Sequence, residues 1–144
     1  MKYKIGIIGN GFVGSSVAFG FSPQTGCDAE VKIYDKDETK STHTLTDVVN
    51  DSDYIFLSVP TPSNQDGSIS LDILFDVFKE IDEVIDYEAD RQPIIMIRST
   101  VTPGTTEKIQ IKYPKMNIVF NPEFLTERSA KFDFINQSRF IVGG

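Results

Sequence analysis

Gly9-Asn10-Gly11-Phe12-Val13-Gly14 has the spacing G-x-G-x-x-G, and Asp35 follows about twenty residues after its last glycine. Together these residues could hold a dinucleotide. Gly9 permits a tight turn out of a strand, Gly11 lets the backbone approach a pyrophosphate, and Gly14 lets a helix pack closely on the strand. The pyrophosphate would rest on the free N–H groups and positive dipole end of a helix starting near Phe12 and Val13. Asp35 would accept hydrogen bonds from ribose hydroxyls and repel a 2′-phosphate, favouring NAD over NADP. Lys36 beside it softens that preference. The bare alternative is a strand-to-helix turn with Asp35 as a solvated strand end. The string of glycines is weak by itself and needs a strand before it, a helix after it, and the acid closing the next strand.

The elements around it meet that demand. Residues 4–8 read as a short buried strand and 12–21 as a short helix rich in small residues, stopped by Ser22-Pro23. Residues 30–34 form a second strand that closes on Asp35. Residues 36–50 are polar with weak helical character, Asp47-Val48-Val49 being their only apolar hint. A third strand runs over 53–59, and a turn-rich loop over 61–70. Ser70 is placed to cap the next helix, whose stripe of Leu71, Leu74, Phe75, Phe78, Ile81 and Ile85 has helical spacing. Strands at 93–97 and 117–120 flank a short helix at 104–111, and 140–142 reads as a sixth strand. Strands alternating with helices predict right-handed βαβ units. The fold class is therefore α/β: a Rossmann-type, doubly wound, mainly parallel sheet of about six strands with helices on both faces.

The totals narrow the functional classes. The chain has 144 residues, about one domain, and a net charge of −7, which argues against a nucleic-acid or anionic-membrane partner. No apolar run approaches the roughly 18 residues of a membrane span, and the N-terminal segment lacks the features of a signal peptide. Cys27 is the sole cysteine and His43 the sole histidine. No intrachain disulfide or zinc site of Cys and His ligands can form, and a reducing cytosol is the expected location. His43 reads as a surface residue, and Cys27 as a loop residue on the wrong side of the fold for a nucleophile.

Four further segments stand in order along the chain: Val59-Pro60-Thr61-Pro62, Asp66-Gly67-Ser68-Ile69-Ser70-Leu71, Ser99-Thr100-Val101-Thr102-Pro103-Gly104-Thr105-Thr106 and Asn121-Pro122-Glu123-Phe124-Leu125-Thr126-Glu127. With the glycine loop they resemble the NAD-binding domain of the UDP-glucose/GDP-mannose dehydrogenases, over essentially the whole chain. The resemblance implies two successive NAD-dependent oxidations of a nucleotide-sugar primary alcohol to a carboxylate, most similar to UDP-glucose oxidation and serving polysaccharide biosynthesis. Pro60 and Thr61 would end the third strand at the carboxyl edge of the sheet, where the prolines need no N–H partners and Thr61 offers a hydroxyl to the cofactor.

The resemblance gives Thr100 the hydroxyl that positions a water or the reacting oxygen near the nicotinamide. Its alternative is a turn or helix-capping hydroxyl before Pro103-Gly104. Glu123 inherits acid–base or water-mediated chemistry beside the sugar, Glu127 a place near the nicotinamide, and Phe124-Leu125 the lining of the nucleotide-sugar site. Without the flanking motif, Glu123 and Glu127 would read as an i, i+4 surface pair. Arg98 stands where the family usually has lysine, and a guanidinium fork does not replace an ammonium freely. Thr126, Arg128 and Gln137 stand where arginine, glycine and proline are usual.

By the same resemblance, residues 1–144 make up the NAD-binding domain. The family's central helix, and the C-terminal domain with its thiohemiacetal-forming cysteine, have no counterpart in them. The expectation is a cofactor-binding half-enzyme without four-electron turnover of its own. It would meet its nucleotide sugar, UDP-glucose, together with the other half, and self-associate or pair with a partner chain through exposed apolar surface. The alternative is a naturally short NAD-binding module without catalysis.

Overall fold

The computed structural model describes residues 3–9, 29–99, 101–102 and 104–120. Within them the chain forms β1 (Tyr3–Ile8), β2 (Ala29–Tyr34), α1 (Leu45–Asn50), β3 (Tyr54–Leu57), α2 (Asp72–Val84), β4 (Ile94–Ile97), α3 (Thr105–Lys112) and β5 (Asn117–Phe120). A 3₁₀ turn at Glu38–Lys40 lies between β2 and α1. The strands make one five-stranded sheet in the order β2-β1-β3-β4-β5, and every pairing is parallel. The doubly wound α/β expectation holds. The helix at 12–21 and the sixth strand at 140–142 lie outside the described residues.

Parallel pairing puts alternate residues of adjacent strands on the same face, which explains how the core divides. On one face Ile8, Ile55, Leu57, Ile95, Ile97 and Ile118 meet the helices through Val48, Val49, Leu74, Phe78, Ile81 and Ile109. On the other, Ile5, Ile7, Phe56 and Met96 form a second cluster. The stripe read in α2 is the buried one: Leu74, Phe78 and Ile81 are wholly inaccessible, while Leu71 and Phe75 pack partly buried against them. Burying a side chain such as Phe78 contributes about 1.5–3 kcal/mol.

Local chemistry sets the helix ends. The polar stretch after β2 yields only the one-and-a-half turns of α1, capped by the Thr44 hydroxyl, which accepts from the Asp47 N–H at 3.2 Å. Its two consecutive valines are fully buried over the sheet. Gly6 of β1 makes room for this helix, because a Cβ there would lie 2.5 Å from Ser52 Oγ and 3.0 Å from Val48 Cγ1. The Asn50 amide then joins α1 to the end of α2, donating to the Val84 carbonyl at 2.8 Å and accepting from the Asp86 N–H at 2.9 Å.

Ser70 does not cap α2. The cap position is Leu71 and has no side-chain hydrogen bond, while the Ser70 N–H donates to the Pro62 carbonyl at 2.7 Å. That bond closes the 61–70 loop into a small hairpin with a Ser63–Ile69 bridge and Gly67 at φ +88°. Asp72 supplies negative charge in the first turn instead.

Candidate functional site

The strand order reverses beside β1, since the chain passes to β2 on one side of it and later to β3 on the other. In open α/β sheets the crevice for a ligand lies at such a reversal, outside the carboxyl ends of the strands. Gly9 is the first residue past β1 at this place. It has φ +94°, and a Cβ on it would lie 2.0 Å from the Ser58 carbonyl oxygen, so only glycine fits without moving β3. Two backbone bonds hold the position: Gly9 N–H donates to the Tyr34 carbonyl at 2.9 Å, and Ser58 N–H donates to the Ile8 carbonyl at 2.9 Å.

Asp35, one residue beyond Tyr34, is partly buried at the same edge. Its backbone is held by Ser41, whose hydroxyl accepts from the Asp35 N–H and donates to the Asp35 carbonyl, both at 2.8 Å. Its Oδ1 accepts from the Asp37 N–H at 2.9 Å, which orients the carboxylate. Lys36 is exposed. Burial, then the nearby carboxylates of Glu80 and Asp35, hold the Tyr34 phenol above its ordinary pKa.

Across the reversal, Pro60 is exposed and Thr61 partly buried in the loop leaving β3. That loop is tied to the end of β4 by Ser99, which is 7% exposed. The Ser99 hydroxyl accepts from the Val59 N–H at 2.9 Å and donates to the Val59 carbonyl at 2.8 Å. Arg98 is buried with its guanidinium 5.9 Å from the centre of the Phe56 ring, and its N–H donates to the Leu57 carbonyl at 2.8 Å. Past Thr102, the buried Thr105 hydroxyl donates to the Thr102 carbonyl at 2.7 Å, shaping the turn into α3.

These residues suit a dinucleotide. Gly9 turns the chain tightly out of β1 against the Ser58 carbonyl, and Asp35 is a carboxylate held at the neighbouring strand end. The buried Ser58 Oγ has no hydrogen-bond partner among the described residues. A buried hydroxyl left in that state costs about 1–3 kcal/mol, which a polar ligand atom or a bridging water would recover.

Of the residues expected from sequence, Gly9, Asp35, Lys36, Pro60 and Thr61 lie along this edge. Gly11, Phe12, Val13, Gly14, Thr100, Glu123, Phe124, Leu125, Glu127 and Cys27 lie outside the described residues. His43 is exposed, with Nδ1 2.8 Å from the Thr42 hydroxyl. Sequence reading missed Ser41, Ser58 and Ser99. For Ser58 and Ser99 a serine at a strand end is the only signal, and it does not reveal its partner, while Ser41 in the polar stretch after β2 offers none. Among the described residues there is no cluster of metal-ligating side chains, and no helix is long and apolar enough to cross a membrane.

Residues 39–144 match the NAD binding domain of the UDP-glucose/GDP-mannose dehydrogenase family. The chain belongs to this family. NAD is accordingly the cofactor of the domain. The family match begins after Asp35, so Gly9 and Asp35 both stand outside it. A ternary complex of GDP-mannose dehydrogenase from Pseudomonas aeruginosa superposes with a TM-score of 0.80 at 26% identity, over 96% of this chain and 40% of that one. The UDP-glucose dehydrogenase of Pyrobaculum islandicum shares the fold with a TM-score of 0.82 at 23% identity, over 99% of this chain and 41% of that one. In sequence, the UDP-glucose 6-dehydrogenase of Rickettsia conorii is 34% identical over 114 residues, 76% of this chain. Protein MJ1054 of Methanocaldococcus jannaschii is 42% identical over 97 residues, 66% of this chain. The chain spans 25% of the Rickettsia relative and the match covers 11% of MJ1054.

Proposed function

We propose that these 144 residues are the cofactor-binding half of a nucleotide-sugar dehydrogenase that oxidises the primary alcohol of UDP-glucose to a carboxylate. The observation that carries the reading is the Gly9–Tyr34 hydrogen bond, which sets the start of the glycine loop beside Asp35 at the reversal of strand order. Gly9, Gly11, Phe12, Val13 and Gly14 would hold the pyrophosphate. Asp35 would bind the adenosine ribose, with Lys36 at its flank. Pro60, Thr61, Thr100 and Glu127 would line the nicotinamide side. Bound NAD supplies the hydride acceptor.

On the sugar side, Glu123 would take up or relay a proton at the reacting oxygen, Thr100 would position that oxygen or its water, and Phe124-Leu125 would line the sugar. A general base in a water-poor cleft has its pKa raised toward neutrality, as this work needs. The family's cysteine step has no residue here to perform it. The 144 residues by themselves therefore bind NAD without four-electron turnover, and pair with a partner or with one another. A cytosolic setting suits a chain with one cysteine.

The test is calorimetric titration of the purified chain with NAD and NADP, repeated with Asp35→Ala. Saturable NAD binding, tighter than NADP and weakened about tenfold or more by Asp35→Ala, is expected, because hydrogen bonds to a charged group contribute about 1.5–3 kcal/mol. Failure of both cofactors to bind, or indifference to the loss of Asp35, would overturn the reading.

A further inference from the structure

Ladder pairing between β3 and β4 ends at Leu57 and Ile97, followed by one last backbone bond from Arg98 N–H to the Leu57 carbonyl. Beyond it the ladder stops, and among the described residues Val59 has no backbone partner for its N–H or its carbonyl. Ser99 meets both groups with a single side chain. Its hydroxyl engages the N–H and the carbonyl of Val59 together, at 2.9 and 2.8 Å, as a neighbouring backbone would. A serine hydroxyl is a donor and an acceptor at once, so it can satisfy both groups where alanine can satisfy neither. Ser99 is itself buried and Val59 partly so, which limits the solvent that could take over the task.

Val59 lies between two parts of the cofactor edge. On one side is Ser58, whose carbonyl forms the floor under Gly9 and whose N–H binds Ile8. On the other is Pro60-Thr61. We infer that Ser99 is a positioning residue for the dinucleotide: it stands in for the missing ladder step, letting the loops part to open the crevice while Ser58 and Thr61 stay in register with Gly9. The inference rests on the NAD-binding reading above, and Ser99 acts through Val59 without itself touching the ligand.

The experiment compares the full chain with Ser99→Ala, Ser99→Thr and Asn50→Ala by NAD calorimetry, denaturant unfolding and amide exchange at Val59. Asn50 is the stability control, since it ties helix ends at the far edge of the sheet. The expected result for Ser99→Ala is about tenfold weaker NAD binding and about tenfold faster exchange at Val59, the size of one hydrogen bond of about 1.4 kcal/mol. Ser99→Thr should recover most of both. Asn50→Ala should lower stability and leave NAD affinity within about twofold. If Ser99→Ala does not fold, Ser99→Cys, close in size with a weak donor and acceptor, provides the same readings. Unchanged NAD affinity in Ser99→Ala, or an equal loss in Asn50→Ala, would overturn the positioning role while leaving the functional reading intact. Absence of NAD binding by the unmodified chain would overturn both.

Discussion

The N–H of Gly9 donates to the carbonyl of Tyr34 at 2.9 Å, so the start of the glycine loop and the residue before Asp35 share one hydrogen bond across neighbouring strand ends. The two halves of the sequence motif, separated by the whole β1-to-β2 connection, thereby meet at the first residue past the sheet.

Gly9→Ala should be among the most damaging single changes in the chain. It combines a left-handed conformation, costing about 1–2 kcal/mol for a side-chain-bearing residue, with a Cβ 2.0 Å from the carbonyl oxygen of Ser58, the first residue past the central strand β3. A loss of at least about 2 kcal/mol in urea unfolding, together with loss of NAD binding, is expected. An unfolding midpoint equal to that of the unmodified chain would contradict the packing described for β1 and β3.

Gly6 tests a softer contact. Alanine there meets Ser52 Oγ at 2.5 Å, a side-chain end that can rotate, and Val48 Cγ1 at 3.0 Å, which the helix holds. Overpacking of this kind costs about 1–3 kcal/mol. The Ser52 hydroxyl is buried with no hydrogen-bond partner among the described residues, so Ser52→Ala should be neutral or stabilising by up to about 1 kcal/mol. In the double variant the cost of Gly6→Ala should shrink measurably, since the two sites touch. Strict additivity in the double-mutant cycle would rule out that contact.

At the amino end of the sheet, Lys32 is buried and its Nζ lies 2.6 Å from Asp51 Oδ2 and 2.7 Å from Glu30 Oε1, while Lys4 Nζ lies 3.0 Å from Asp51 Oδ1. Hydrogen bonds from Lys32 and then Lys4 hold the Asp51 carboxyl below its ordinary range, and Lys32 is held above the ordinary lysine value by Asp51 and then Glu30. The depressed Asp51 contributes stability that is complete above about pH 4 and is lost as pH falls through its folded pKa. The raised Lys32 contributes stability that is complete below about pH 10 and is lost as pH rises through its folded pKa. Asp51→Asn should therefore flatten the acid limb of a stability–pH curve and cost about 1 kcal/mol near neutrality, the partial exposure of Asp51 reducing the effect. An acid limb unchanged by this substitution would remove Asp51 from the account.

Much of the architecture was legible in the residues. Short apolar runs rich in β-branched residues marked the described strands, and the helical spacing of Leu74, Phe78 and Ile81 marked the buried side of α2. The same reasoning set Gly9 and Asp35 at neighbouring strand ends, where the structure has them. Short-range physics governs all of these: backbone sterics, side-chain periodicity and turn chemistry act over a few residues and leave their mark in local order. Where a longer-range bond competed, local reading failed. Ser70 has the composition of a helix cap, yet its N–H closes a hairpin onto Pro62, and α2 starts without a side-chain cap.

The sequence by itself determined that the chain alternates strand and helix, that it carries a dinucleotide motif, and which family it belongs to. Only the tertiary structure decided the strand order β2-β1-β3-β4-β5, and with it which residues meet at the carboxyl edge. Gly9 rests on Ser58, and Ser99 holds Val59 from forty positions away. In a parallel sheet every strand's partners come from beyond a crossover connection. Periodicity says which way a side chain faces and carries no information about which distant backbone lies beside it.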